Sequence, residues 1–155
     1  MSLNDIKSAL PDYAKDLRLN LDSVLAETGA PGLNDSQIRA IALASAIASR
    51  NPRLTHAVAG FAAEKLDESE LAGARAAAAM MAMTNVYYRF THNAANREYE
   101  TLRAGLRMNV MANPGIDKVA FELASLAVSA INGCSRCVDS HEKTVREHEI
   151  GRAHV

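Results

Sequence analysis

Tryptophan is absent from this chain of 155 residues, aromatic residues make up only 5%, and there are just two cysteines. Charge of either sign is not in excess, since 17 basic and 18 acidic residues leave a formal net charge of −1. That balance lacks the electrostatic footprint of a nucleic-acid binder or of a protein held on anionic lipid, so neither partner is expected. Long hydrophobic runs are missing too. The longest unbroken apolar stretch, residues 76–83, is far too short to span a bilayer. The first ten residues include an acid and no apolar core, so no secretory signal is legible. The expectation is a soluble cytoplasmic protein. In a reducing cytosol two lone cysteines are poor structural staples, which leaves catalysis or metal binding as their use.

What is present is a Ala-rich, 48% hydrophobic sequence without sustained alternation of apolar and polar residues, which points to an all-α protein. A short helix at residues 3–10 is stopped by Pro11, and residues 12–27 carry Tyr13, Leu17, Leu21, Val24 and Leu25 at helical spacing. After the loop Gly29-Ala30-Pro31-Gly32, Asn34 or Asp35 caps a helix to Arg50 that presents Ile38, Ile41, Leu43, Ala46 and Ile47. Asn51-Pro52 reads as an N-cap followed by proline at the first helical position, opening a helix to about Leu66. Ser69 is the expected cap of a helix over residues 70–90. Its middle is apolar on every side, so it is expected to be the central buried helix. Residues 92–105 are polar, with a short helix at 96–102, and Asn113-Pro114-Gly115 is a turn. A helix at 117–131 buries Val119, Leu123, Leu126 and Val128, and a last helix runs to about Glu149. No linker, low-complexity tract or internal repeat divides the chain, so residues 1–155 read as a single all-α domain.

The chemistry is concentrated in Asn-Gly-Cys-Ser-Arg-Cys-Val-Asp-Ser-His, residues 132–141. Cys134 and Cys137 stand in C-x-x-C spacing behind Gly133, in the first turns of the last helix, where the helix dipole and unpaired N–H groups favour a thiolate. His141 follows Cys137 by four residues, on the same helical face and within side-chain reach. A thiol pair beside an acid–base group is suited to disulfide or peroxide chemistry. Buried free cysteines serving as small hydrophobes are the plainer alternative. A zinc site is the sharper rival, with Cys134, Cys137 and His141 as three ligands and His148 or His154 as the fourth.

The two thiols are not equivalent, and the cues conflict. Proximity to His141 favours Cys137 as the attacking thiol, with Cys134, nearer the helix end, the more accessible and the better placed for exchange. Helix-terminus electrostatics favour Cys134 as the thiolate. Glu122 is a lone acid in an apolar helix; if that helix packs antiparallel to the last one, it reaches His141 and completes a proton relay. It reads equally well as an acid favoured by the helix N-terminus. His56 and His92 lack partners at ligand spacing, the methionines read as core filler, and Asp139, Glu142 and Lys143 read as a solvated face.

The stretch from Glu122 through Ser129-Ala130-Ile131-Asn132-Gly133-Cys134-Ser135-Arg136-Cys137 to His141 resembles the alkyl hydroperoxidase D (AhpD) family, within the carboxymuconolactone decarboxylase-like all-α superfamily. The likeness continues through Leu10-Pro11-Asp12-Tyr13-Ala14-Lys15-Asp16, Arg50-Asn51-Pro52, and Gly105-Leu106-Arg107-Met108-Asn109 with Ala112-Asn113-Pro114-Gly115. The resemblance implies an antioxidant peroxidase assembled as a homotrimer, with no bound cofactor. It implies that Cys137 attacks the peroxide and that Cys134 resolves the sulfenic acid as a disulfide and exchanges with the peroxiredoxin AhpC. It also implies that a dihydrolipoyl group on an acyltransferase subunit, itself served by dihydrolipoamide dehydrogenase, restores the dithiol. Glu122 and His141 match the family's proton relay.

Two departures from the family's pattern stand out. Arg136 takes a position between the cysteines that is often histidine; arginine stabilises a thiolate by charge but does not shuttle protons near neutral pH. The family also continues past Gly-Arg-Ala-His-Val into a further helical hairpin, so the expected fold is AhpD-like without that hairpin, with apolar surface left uncovered. Two other function classes remain beside the peroxidase. One is a cofactor-free decarboxylase of the same superfamily, which has no need of a dithiol; the other is a non-enzymatic zinc-binding or interaction module.

Overall fold

The computed structural model describes residues 1–148, and the described residues form eight α-helices and no strand. They are α1 (Leu3–Ser8), α2 (Lys15–Val24), α3 (Asp35–Ala48), α4 (Pro52–Ala63), α5 (Glu68–Asn93), α6 (Glu98–Thr101), α7 (Lys118–Asn132) and α8 (Ser135–Glu147). Single 3-10 turns occupy Asp12–Ala14 and Asn109–Met111. None of the described helices is long and apolar enough to cross a membrane.

Helix starts follow from side chains that supply acceptors to otherwise unpaired N–H groups. Asn34 accepts from the Gln37 N–H at 2.9 Å while the Gln37 side chain accepts from the Asn34 N–H at 3.0 Å, a capping box. Asn51 accepts from the N–H groups of Arg53 and Leu54, and Pro52 opens α4 where no N–H is needed. Asp117 starts α7 by accepting from Ala120 at 2.9 Å. The cap of α5 is Asp67, in a capping box with Glu70, rather than Ser69. Asp67 accepts from the Glu70 N–H at 2.9 Å, so the helix starts two residues earlier than a Ser69 cap would allow, and the acid also favours the dipole. Ser69 instead donates to the Gly115 carbonyl at 2.7 Å, pinning the start of α5 to the loop before α7. Gly73 is required at that crossing: a Cβ there would stand 2.6 Å from the Ile116 side chain.

The central helix is α7, not α5. Ala120, Phe121, Leu123, Ala124, Leu126 and Val128 are all buried, and α7 packs against α3, α5 and α8. In α5 one stripe is buried, Gly73, Ala74, Ala77, Ala78, Met81, Thr84, Asn85 and Thr91, while Val86 and Phe90 are exposed, as are Ala72, Ala79 and Ala82. A run of alanine and methionine is apolar without carrying enough area per residue to oblige burial on all sides. In α2, likewise, Leu21 and Leu25 are half-buried while Leu17 and Val24 are exposed, and Tyr13 just before it is 93% exposed.

Phe121 is 1% exposed and packs with Ala44, Ala77, Met81 and Val128, where α7 meets α3 and α5. Phe121→Ala is expected to lower the unfolding free energy by about 3–5 kcal/mol, read as the shift of the urea midpoint at constant slope. A loss under about 1 kcal/mol would place the centre of the core elsewhere.

Candidate active site

The site begins where α7 stops. Gly133 takes φ +68°, its N–H donates to the Ala130 carbonyl at 3.1 Å, and the Cys134 N–H donates to the Ser129 carbonyl at 3.0 Å. This paired arrangement closes the helix and requires a left-handed residue. A Cβ on Gly133 would meet nothing within 4 Å, so the backbone angle alone demands glycine. The chain re-enters a helix at once: Cys134 is the N-cap of α8, its carbonyl accepting from the Val138 N–H at 2.9 Å, and Cys137 lies in the first turn. The two sulfurs are joined in a disulfide, with 5.3 Å between the Cα atoms.

One turn further along α8, His141 points back at α7. Its Nδ1 lies 2.7 Å from Glu122 Oε2, and both side chains are buried. Glu122 therefore sits with the imidazole rather than serving only as a helix-terminal charge. On the other side of the ring, Nε2 lies 3.2 Å from Met81 Sδ, a residue of α5. The pair thus bridges α7 and α8, with α5 closing the third side.

A cavity of about 260 Å³ opens on this assembly, lined by Cys137 and His141 together with Met81, Thr84, Tyr88, Met108, Met111, Arg136 and Ser140. Cys134 does not line it. Its relative exposure is 1%, against 6% for Cys137, so the order of accessibility expected from position along the helix is reversed. The reason is the Gly133 turn, which binds the Cys134 N–H back to α7 and brings Cys134 inward. Arg136 is exposed, and its guanidinium stacks over the Tyr88 ring at 4.9 Å from the centroid. It adds positive charge to the cavity wall without offering a group that exchanges protons near neutral pH.

Among the other candidates, His56 and His92 are exposed, and neither lines the cavity. Asp139 and Lys143 are exposed, and Glu142 pairs with Arg146 along the outer face of α8. His148 Nδ1 lies 2.8 Å from the Thr144 carbonyl, and His154 lies outside the described residues. Among the described residues no three His, Cys, Asp or Glu side chains converge as a metal site. Met81, Met108 and Met111, which read as core filler in the sequence, line the cavity; Thr84, Asn85 and Tyr88 carry no assignment in the sequence, and Ser129 enters only as part of the motif. Their signal is faint but physical: Thr84-Asn85 and Ser129 are polar positions set in apolar helical stretches, and buried polar groups require partners.

Comparison with known proteins gives a consistent answer. Residues 97–153 match the family described as the carboxymuconolactone decarboxylase family. Over 155 residues, all of this chain and 84% of the relative, it is 50% identical to "Alkyl hydroperoxide reductase AhpD" from Bradyrhizobium sp. (strain ORS 278). A protein with the same description from Streptomyces avermitilis is 51% identical over 152 residues, 98% of this chain and 84% of the relative. One from Brucella melitensis biotype 1 is 51% identical over 150 residues, 97% and 84% respectively.

Proposed function

Because the chain belongs to the alkyl hydroperoxide reductase AhpD family, we propose that it is a cytoplasmic thiol peroxidase that reduces alkyl hydroperoxides through a cycle of Cys134 and Cys137. The observation that carries this reading is the Glu122–His141 pair, 2.7 Å apart and buried, on the wall of the same cavity as Cys137. The Cys137 thiolate attacks the terminal oxygen of the hydroperoxide. The O–O bond breaks, the alcohol leaves with a proton drawn from the relay, and Cys137 becomes a sulfenic acid. The Cys134 thiolate attacks that sulfur, the S–S bond forms, and hydroxide leaves as water. A dihydrolipoyl group then supplies two electrons and two protons and reopens the disulfide.

The reductant is a dihydrolipoyl group carried by an acyltransferase subunit and recharged by dihydrolipoamide dehydrogenase, and no cofactor resides on the chain. The peroxiredoxin AhpC is the redox partner. Its regeneration through Cys134 requires that sulfur to become accessible, since Cys134 is buried in the isolated chain. The assembly is a homotrimer of single-domain subunits, and the exposed Val86 and Phe90 of α5 provide apolar surface for contacts between copies. Titration of thiols before and after one equivalent of hydroperoxide tests the cycle. Two reactive thiols per reduced chain should fall to none without intermolecular linkage, and dihydrolipoamide should restore both. Retention of two reactive thiols after oxidation, or stoichiometric zinc in the purified protein, sinks the proposal.

A further inference from the structure

Met81 is only 1% exposed, yet its thioether is ringed by polar atoms. His141 Nε2 stands 3.2 Å from the sulfur, the Ser129 hydroxyl 3.3 Å and the Asn85 amide nitrogen 3.6 Å. Asn85 also donates to Ser129 Oγ at 3.1 Å, and its carbonyl oxygen accepts from Asn132 Nδ2 at 2.9 Å. Thr84 Oγ1 lies 3.6 Å away but donates its single proton to the Met80 carbonyl at 2.9 Å. A thioether accepts hydrogen bonds and has no proton to give. Ser129 and Asn85 can therefore engage the sulfur only as donors, and for His141 the contact requires a proton on Nε2. Glu122 already holds the opposite ring nitrogen.

We propose that Met81 is a positioning residue for His141: its sulfur holds the imidazole with Nε2 protonated and, through Ser129, Asn85 and Asn132, ties that ring to the turn carrying Cys134. A methionine present only to fill space has no use for three polar neighbours. Leucine has nearly the same volume and is usually tolerated in a core, but here it strips buried donors of their acceptor. The proposal rests on His141 being the acid–base group of the thiol cycle, so its test reads the ring directly as well as the rate.

The measurement is nitrogen NMR of the full chain carrying isotopically labelled histidine, in the disulfide form near neutral pH, with His141→Gln assigning the resonance. In the native protein Nε2 should carry the proton. In Met81→Leu a fraction of the rings should lose the Nε2 proton, with kcat/KM reduced about fivefold to tenfold and KM little changed. Met81→Gln returns an acceptor oxygen to the same region and should restore the native nitrogen pattern. A native Nε2 without a proton overturns the proposal before any variant is made, so failure of the leucine variant to fold does not shield it. A folded leucine variant with the native pattern and kcat/KM within about twofold of native overturns it as well. Full activity in His141→Gln would instead remove the acid–base reading of His141, while the nitrogen pattern still reports on Met81.

Discussion

Cys137→Ser is expected to end peroxide consumption, with the rate falling by roughly a thousandfold or more, because a serine hydroxyl offers no comparable nucleophile at neutral pH. Cys134→Ser should behave differently. It leaves the attacking sulfur in place and removes its resolving partner, so a single turnover should strand a sulfenic acid on Cys137. The structural ground for this division is that Cys137 lines the cavity shared with His141, whereas Cys134 is enclosed behind the Gly133 turn. The check is a single-turnover assay with hydroperoxide, followed by trapping with a sulfenic-acid reagent and peptide mass spectrometry. Activity retained in Cys137→Ser, or the adduct found on Cys134 in the reciprocal variant, reverses the assignment.

Glu122→Gln, His141→Gln and the double variant are expected to lose similar amounts of peroxidase activity, each on the order of a hundredfold. The two side chains share one buried hydrogen bond of 2.7 Å, so removing either disables the same proton path, and losses within one unit do not add. The alcohol needs a proton as the O–O bond breaks, and an imidazole protonated at Nε2 and held at Nδ1 by Glu122 can give it. Both glutamine substitutions preserve much of the local volume, which keeps the comparison fair. Rates should be measured with a dithiol reductant on variants whose circular dichroism and melting confirm the native fold. Near-full activity in Glu122→Gln would reduce the carboxylate to a structural partner of the imidazole. Multiplicative losses would show two independent contributions instead of a relay.

Much of the fold was legible because helix boundaries are written in short-range chemistry. Asn34, Asn51-Pro52 and Gly133 announce their roles through rules that act over three or four residues. Depth was harder to read. The run at 76–83 looks more hydrophobic than the segment around Phe121, yet α7 occupies the centre, because burial depends on which helices surround a segment and not on its composition alone. The same distinction divides the site. Cys137 and His141 lie four residues apart on one helix, so their shared face follows from helical geometry. Glu122 is 19 residues from His141 and Met81 is 60 residues from it, and only packing among α5, α7 and α8 joins them. The exposure of the two cysteines departs from the expectation for a related reason: helix position suggests an open N-terminus, but the turn before it faces the body of the protein.

The left-handed turn at Gly133 has a mechanical consequence for repeated redox cycling. It welds the end of one helix to the start of the next through two backbone hydrogen bonds, neither of which involves sulfur. The cysteines are separated by only three positions, so the bond between them encloses a very short loop and restrains the unfolded chain far less than a long-range cross-link does. Opening that bond therefore releases little of the energy that holds the fold. The backbone, rather than the disulfide, acts as the jig. It presents the sulfurs to each other at high effective concentration each time the pair is reduced, so the catalyst does not have to find its shape again on every turnover.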